Sequence, residues 1–430
     1  MKLIRRWLDR ISFLGVTSGV FAWGFVQGNV ALGGTIRFEF AFVVLAVVLL
    51  QAVISSLLFT GFVGVSGVSF LWSLRRDADP APKYAGDTVT AIVPVYRDAN
   101  VLDRSVESLL ASEYDDLEVL IVCEEDDQAG LERARELAKQ TGVSSLVNTR
   151  YPGSKAGAIN YAVEETDSDH VAVFDADERV DPTFVPKAVA RLQECDVVQG
   201  RTVPQPDGAV EELAYYESVL LSYVSRRLLY LCTEFRMAAS RAVVMRRSAL
   251  SITGGYDTEM LTEDFDFAYT CYRHRLDVEE QLDHPSKIEA AHSLRDWWGQ
   301  RKRWMTGYVQ VLHKLLANAQ PIRKVRNLTS AAICAGTVIG SFLLLTILSK
   351  FVVLFFVGME SYFVPPLVAV VGVTAAVRVH DWRVGSVERL GWAWLVVPIV
   401  VPLYSLTAIK AVIEYAYGRG GDWYSVEKGS

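Results

Sequence analysis

The sequence predicts an α/β domain, built on a largely parallel sheet and inserted between membrane-spanning α-helices. Three observations carry that prediction. Apolar residues make up 51% of the 430, and the mean hydropathy is +0.22, too apolar for an ordinary soluble protein. They gather in two blocks, from about Ile11 to Leu74 and from about Leu328 to Tyr417, around a globular stretch from roughly Pro82 to Arg326. Within that stretch, short β-branched runs alternate with helical periodicity, as in a parallel sheet covered on both faces.

A span needs about 20 apolar residues. Residues 1–76 are therefore expected to hold two transmembrane helices, broken near "TIRFEF" by Arg37 and Glu39. Residues 327–417 are expected to hold three: Leu328 to Val357, a short one from Phe363 to Val377, and Leu390 to Tyr417. No small-residue cleavage site follows the first apolar run, which argues against a signal peptide. The basic flanks "MKLIRRWLDR", Arg75-Arg76, "PIRKVR" and "VRVHDWR" place the N-terminus and residues 77–295 in the cytoplasm, in a multi-pass plasma-membrane protein. Five spans put the tail, residues 418–430, outside.

A net charge of −7, without basic or aromatic nucleic-acid motifs, excludes a nucleic-acid partner. The five cysteines never form a CxxC pair and read as reduced core residues. The six histidines show no metal-ligand spacing.

In chain order, "TVTAIVPVY" is a strand, "VLDRSVESLL" a helix, "LEVLIV" a strand and "LERARELAKQ" a charged helix. "HVAVFDAD" follows as a strand, then "DPTFVPKAVARL" as a helix with Asp181 as cap and Pro182 at its first position. "CDVVQGRTV" is a further strand. The amphipathic stretch at about 209–231 is expected to lie along the membrane surface, as is the helix at 296–326. Ligands of such sheets bind beyond the carboxyl ends of the strands, so the polar residues there carry the chemistry.

Asp175 and Asp177 of "VAVFDADE" stand two apart at a strand end, which would aim both carboxylates at one face, with Mg²⁺ or Mn²⁺ between them. A plain pair of loop aspartates is the competing reading. "YPGSKAGAIN" opens a helix, where Gly153, Gly157 and free N–H groups would favour an anion and Lys155 would meet a diphosphate. Glu263, Asp264 and Asp266 fall in one helical first turn; they complement the helix dipole or supply a general base. In "WWGQRKRWMTG", residues 297 to 307, helical geometry puts Gln300, Arg303 and Trp304 on one face. Trp297, Trp298, Arg301 and Lys302 would seat that helix against lipid.

Taken together, "PVY", "VCEED", "GSKAGAIN", "DAD", "VQGR", "FRMAAS", "TED" and "QRKRW" resemble a membrane-embedded family 2 glycosyltransferase of the processive cellulose, chitin and hyaluronan synthase kind. The resemblance covers roughly Thr90 to Gly307 and implies a GT-A-type, Rossmann-like catalytic domain. It implies that Tyr96 and Glu124 hold the nucleoside of a UDP-sugar, with Asp126 as a rival because most members carry Asp rather than Glu at the second position. Lys155 and Asp175 would contact the diphosphate and sugar, and Asp177 would bind Mg²⁺ or Mn²⁺. Asp264, beside Glu263, would be the base. Gln300, Arg303 and Trp304 would form the acceptor end, where Arg303 steadies the diphosphate and Trp304 stacks on the acceptor sugar. "FRMAAS" departs from the commoner glycine-serine form, which leaves its role open.

The implied reaction is a single inverting displacement that extends a β-linked polysaccharide, which leaves through the spans. The alternatives are transfer of one sugar to a polyprenyl phosphate or glycolipid, and a non-catalytic membrane scaffold or exporter. Partners are thus a UDP-sugar, a polysaccharide or lipid acceptor, and membrane lipids.

Overall fold

The computed structural model describes residues 38–75, 80–317, 325–395, 397–418 and 428. The first expected span and most of the C-terminal tail lie outside these residues.

A seven-stranded sheet organises the middle of the chain: β1 (Val89–Val95), β2 (Leu117–Glu124), β3 (Val143–Asn148), β4 (His170–Val173), β5 (Val197–Pro204), β6 (Val243–Arg246) and β7 (Val278–Ile288). Their spatial order is β3-β2-β1-β4-β6-β5-β7. The sheet is mixed rather than parallel, because β6 runs antiparallel to both β4 and β5. The four strands read from sequence are all present. β3, β6 and β7 were not foreseen, and the two at the sheet's edges explain why. "VSSLVN" and "VEEQLDHPSKI" are half-polar, since an edge strand is not buried on both faces.

Alternate residues of β1 enter different cores. Ile92 joins Ile159, Phe265 and Met305 on one face; Ala91 and Val93 join Leu102, Leu131 and Phe184 on the other. Each such fully buried aliphatic side chain contributes roughly 1.5–3 kcal/mol. The second face is covered by α2 (Leu102–Leu110), α3 (Gln128–Leu137) and α5 (Phe184–Arg191). α5 starts two residues later than expected, and Asp181 does not cap it. Instead the Asp181 carboxylate accepts from the Thr183 amide at 3.0 Å and hydroxyl at 2.7 Å, which closes a turn before the helix.

The first face is covered by α4 (Lys155–Glu164), α8 (Arg247–Thr253), α9 (Glu263–His274) and α10 (Leu294–Ala317). Its core continues through Met305 and Val309 of α10 into α11 (Val325–Phe356) and α13 (Val397–Ala416). Sheet and apolar helices therefore share one core. The stretch at 209–231 forms α6 (Ala209–Glu217), a π-helical segment (Ser218–Val224) and α7 (Ser225–Thr233). Its Tyr215, Tyr216 and Val219 pack among residues of α1 (Phe38–Leu74) and α12 (Glu360–Arg383).

Two described helices, Ala46–Leu74 and Glu360–Arg383, are long and apolar enough to cross a membrane. A third qualifies if Val325–Phe342 and Leu345–Phe356, bent by 44°, count as one. α12 runs beyond the expected span, through "VRVHDWR", because its charges are paired rather than solvated. Asp381 and Arg378 are fully buried. Asp381 takes a bidentate pair from Arg201 of β5 at 2.7 Å and the Tyr215 hydroxyl at 2.6 Å, while Arg378 reaches Glu212 at 3.1 Å. That segment is a helix end locked to the sheet domain, not the solvated basic flank expected from sequence.

Candidate active site

Strand β1 ends at Val95, and the chain turns sharply at Arg97, whose φ is +61°. Asp127 holds the turn: its carboxylate accepts from the Arg97 amide at 2.7 Å while capping α3 through the Gly130 amide at 3.1 Å. Tyr96 is thereby presented beside exposed Asp126, to which its hydroxyl donates at 3.2 Å. Glu124 is buried, and both its oxygens are occupied. One accepts from Asn148 Nδ2 at 2.7 Å, the other from the Gly153 amide at 2.9 Å. Of the two nucleoside candidates, Asp126 is the one open to solvent.

The helix start at "GSKAG" differs from expectation. Two of its N–H groups are already taken: Gly153 donates to Glu124, and Gly157 donates to the Ser154 hydroxyl at 3.0 Å. Gly157 is required for packing, since a Cβ there would lie 2.1 Å from the Tyr151 carbonyl oxygen. What the helix start delivers is Lys155, at its first position, which forms an ion pair with Asp175.

Strand β4 stops at Val173, so strand alternation does not reach the two aspartates; they sit in a turn. Glu178 shapes that turn. Its buried carboxylate accepts from the Asp175 amide at 3.0 Å, and burial, reinforced by the charge of Asp175, pushes it up to about 8. Burial also opposes ionisation of Asp175, yet Lys155, then Arg241 and Lys428, hold it down at about 2. Asp177 faces another way. Its Oδ2 accepts from the Glu289 amide at 2.9 Å, and its Oδ1 pairs with Lys428 Nζ at 2.9 Å. Lys428 also reaches Asp98 at 2.8 Å, so one ammonium bridges two carboxylates. A cavity of about 390 Å³, lined by Arg104, Arg179, Lys287 and His292, opens beside Asp177. Lys155, Asp175, Asp264 and Arg303 do not line it, so it adjoins this cluster without containing it.

The start of α9 and the middle of α10 meet closely at Gly307, where a Cβ would lie 2.4 Å from Thr262 Cγ2. Gln310 and Lys314, one and two turns on, extend the clamp. Gln310 accepts from the Leu261 amide at 3.0 Å, and Lys314 pairs with Asp257 at 2.7 Å and Asp266 at 2.8 Å. Asp266 is thus structural. Glu263 is buried and accepts from the Ser240 hydroxyl at 2.8 Å; burial first, then the charge of Asp264, raises it. Arg303 lies in the field of Glu263, Asp264 and Asp175, although burial pulls its guanidinium below the ordinary value. The structure therefore brings Lys155, Asp175, Asp264, Glu263 and Arg303 together.

Trp297, Arg301 and Lys302, expected against lipid, instead find partners within the protein. Trp297 is 1% and Arg301 4% exposed, and both donate at 2.8 Å to the same oxygen of buried Glu217. Lys302 pairs with Glu414 at 2.7 Å. The physical reason is Glu217, a buried carboxylate that needs donors. Arg301 also stacks over Trp304 at 4.7 Å, and its guanidinium donates to Gln300. Asp98, Asp127, Arg241, Glu178, Glu217 and Lys428 were all missed from sequence. Asp98, Asp127, Glu178 and Arg241 lie within or beside motifs read from sequence, whereas Glu217 and Lys428 do not.

The fold and these motifs have relatives. A probable glycosyltransferase of Bacillus subtilis is 21% identical over 248 residues, covering 55% of this chain and 59% of that protein. A beta-monoglucosyldiacylglycerol synthase of Synechocystis is 27% identical over 169 residues, covering 37% and 34%. A poly-beta-1,6-N-acetyl-D-glucosamine synthase of Staphylococcus aureus is 20% identical over 228 residues, covering 52% and 55%. The chain thus spans about half the length of the relatives it matches. Among solved structures, a mannosyltransferase from Pyrobaculum calidifontis, in complex with GDP-Man and Mn²⁺, shares the fold at a TM-score of 0.50. It is 17% identical, with 83% of this chain and 99% of that one covered. The model of the family described as glycosyltransferase like family 2 matches residues 86–307, just over half of the chain and the same stretch that carries the site. The chain belongs to the family 2 glycosyltransferases and has their GT-A-like α/β fold.

Proposed function

We propose that this chain transfers a sugar from a UDP-sugar to a polysaccharide end at the cytoplasmic face of a membrane. The single observation that supports this best is the docking of α10 on α9 at Gly307, which brings Arg303 into the field of Asp175, Glu263 and Asp264. A base and a cation for a departing anion then stand in one cleft.

In this reading, Tyr96 with Asp126 or Glu124 holds the nucleoside, and Lys155 with Asp175 orients the diphosphate and sugar. Asp264 takes the proton of the acceptor hydroxyl. The bond from that oxygen to the anomeric carbon forms as the bond from that carbon to the diphosphate oxygen breaks. Charge develops on the leaving diphosphate, where Arg303 meets it, and the anomeric configuration inverts. Gln300 and Trp304 meet the acceptor.

The donor set fits a hard divalent cation. Asp177 and Asp98 offer carboxylate oxygens, and a cation, the Lys428 ammonium, already bridges them. Among the described residues no group of three or more His, Cys, Asp or Glu could hold a metal. The remaining ligands would be phosphate oxygens and water, as suits Mg²⁺ or Mn²⁺. Such an ion, held by Asp177 with Asp98 or Asp175, would neutralise charge on the diphosphate.

The apolar helices α1, α11 and α12 are the proposed spans; the core around Met305 reaches α11, and a second core joins Val203 of β5 to α1 and α12. A lipid acceptor is the second reading, favoured by likeness to the beta-monoglucosyldiacylglycerol synthase over 37% of the chain. The test is product size from protein in lipid nanodiscs, given labelled UDP-sugars one at a time with Mn²⁺ or Mg²⁺. High-molecular-weight product supports the polymer reading. One sugar on extracted lipid replaces it with the second reading, and no transfer from any donor overturns both.

A further inference from the structure

The segment between α7 and β6 carries an arginine that the reaction above leaves unused. Three contacts from β5 fix its backbone. Gln199 Oε1 accepts from the Ala239 amide at 2.6 Å, and Gln199 Nε2 donates to the Arg241 carbonyl at 3.0 Å. The Gly200 amide donates to the Ala242 carbonyl at 2.6 Å. Ala242 is held at a φ of +43° and is fully buried, a backbone state that a non-glycine residue keeps only when its surroundings over-determine it. Ala238, Ala239 and Ala242 are all small and buried. The one long side chain of this turn is Arg241.

Its guanidinium stops 4.0 Å from Asp175 Oδ2, too far for a hydrogen bond, while Asp175 Oδ1 belongs to Lys155. Among the described residues no other carboxylate lies within ion-pair distance of Arg241, and its side chain is 34% exposed. Asp264 and Arg303 lie in its electrostatic field. Lys155, Arg241 and Arg303 thus share one cleft with Asp175, Glu263 and Asp264, and of the three cations Arg241 has no carboxylate at hydrogen-bond distance among the described residues. A planar fork of N–H donors without a close acceptor matches an anionic oxygen pair.

We propose that Arg241 is a donor-binding residue whose guanidinium grips an anionic oxygen of the nucleotide-sugar beside the Lys155–Asp175 pair. This rests on the nucleotide-sugar reading given above. Two parts of a donor carry that chemistry: the diphosphate, present in every donor, and a carboxylate, present only in an acidic sugar.

The test is calorimetric binding of UDP, UDP-N-acetylglucosamine and UDP-glucuronic acid, each with Mn²⁺, to wild type, Arg241→Gln and Arg241→Lys in nanodiscs. Loss of one charge-assisted fork predicts a Kd weakened roughly 10- to 100-fold in Arg241→Gln, with partial recovery in Arg241→Lys. Weakening for all three ligands assigns the contact to the diphosphate, and weakening for the acidic donor alone assigns it to the sugar. Unchanged affinities in both variants, with wild-type binding intact, overturn the proposal. Wild type that binds none of the ligands overturns instead the donor reading beneath it. Arg241→Lys keeps the charge and most of the chain length, so it serves as the folded variant if Arg241→Gln has a lowered unfolding midpoint.

Discussion

Arg301→Met should destabilise the protein by about 3–5 kcal/mol at neutral pH, the usual cost of removing one partner from a buried ion pair. The magnitude follows from how little water reaches the pair. The Arg301 and Glu217 side chains are 4% and 5% exposed, and their contact is 2.8 Å, so solvent screening does not discount it. In the variant, Glu217 keeps, among the described residues, a single donor, the Trp297 indole N–H at 2.8 Å. Glu217→Gln should cost a similar amount, because Arg301 cannot shed its charge. The double variant should recover most of the loss, since neither buried charge remains.

The pH dependence has a definite sign. Burial raises Glu217 above the ordinary carboxyl value even though Arg301 lowers it. A carboxyl raised on folding binds its proton more tightly in the folded state, so its cost is relieved as pH falls through the folded value. Removing Arg301 raises Glu217 further, so the deficit of Arg301→Met should shrink on acidification. The assay is the urea midpoint in nanodiscs, followed by tryptophan fluorescence, with Trp297 a reporter at the pair itself. Single-variant losses below about 0.5 kcal/mol, the range of ordinary surface changes, would refute the buried pair. Losses that add in the double variant would refute the coupling.

Three further outcomes are expected. Asp264→Asn should abolish transfer while leaving the Kd for UDP within about twofold of wild type, because an amide cannot take the proton; residual transfer above about 1% would argue for another base. Gly307→Ala drives a methyl against Thr262 and should cost about 1–3 kcal/mol, with kcat falling more than KM rises, as Arg303 moves off Asp264; an unchanged kcat would disconnect that contact from the chemistry. Lys428→Gln should tighten Mn²⁺ binding several-fold, read from the electron paramagnetic signal of free Mn²⁺, because the ammonium no longer competes for Asp98 and Asp177; weaker binding would mean that Lys428 assists the cation.

The sequence revealed what is periodic or locally punctuated. β1, β2, β4 and β5 are continuous apolar runs, and α9 and α10 carry their motif residues within a few turns, so their geometry is local. Partners set by distant contacts were not legible. Trp297, Arg301 and Lys302 have the composition of an interfacial belt, and nothing near them announces Glu217, 84 residues upstream of Arg301. The same holds for "VRVHDWR", where Asp381 finds Arg201 across 180 residues of chain. A charge next to an apolar run reads as the run's end whether it is solvated or paired, and only the fold distinguishes the two.

That pairing also links the cleft to an apolar helix. Gln199 and Arg201 lie two apart on β5, and Arg201 falls within the register shift between Gly200 and Thr202. Gln199 fixes the turn that aims Arg241, and Arg201 is bound at both guanidinium ends to Asp381 of α12. A displacement of α12 must therefore either break a bidentate contact that is 2% exposed on its arginine side and 0% on its aspartate side, or move β5 with it. Breaking it strands a buried charge, at a cost of about 3–5 kcal/mol. The turn beneath Arg241, next to Asp175, is therefore tied through β5 to the apolar helix.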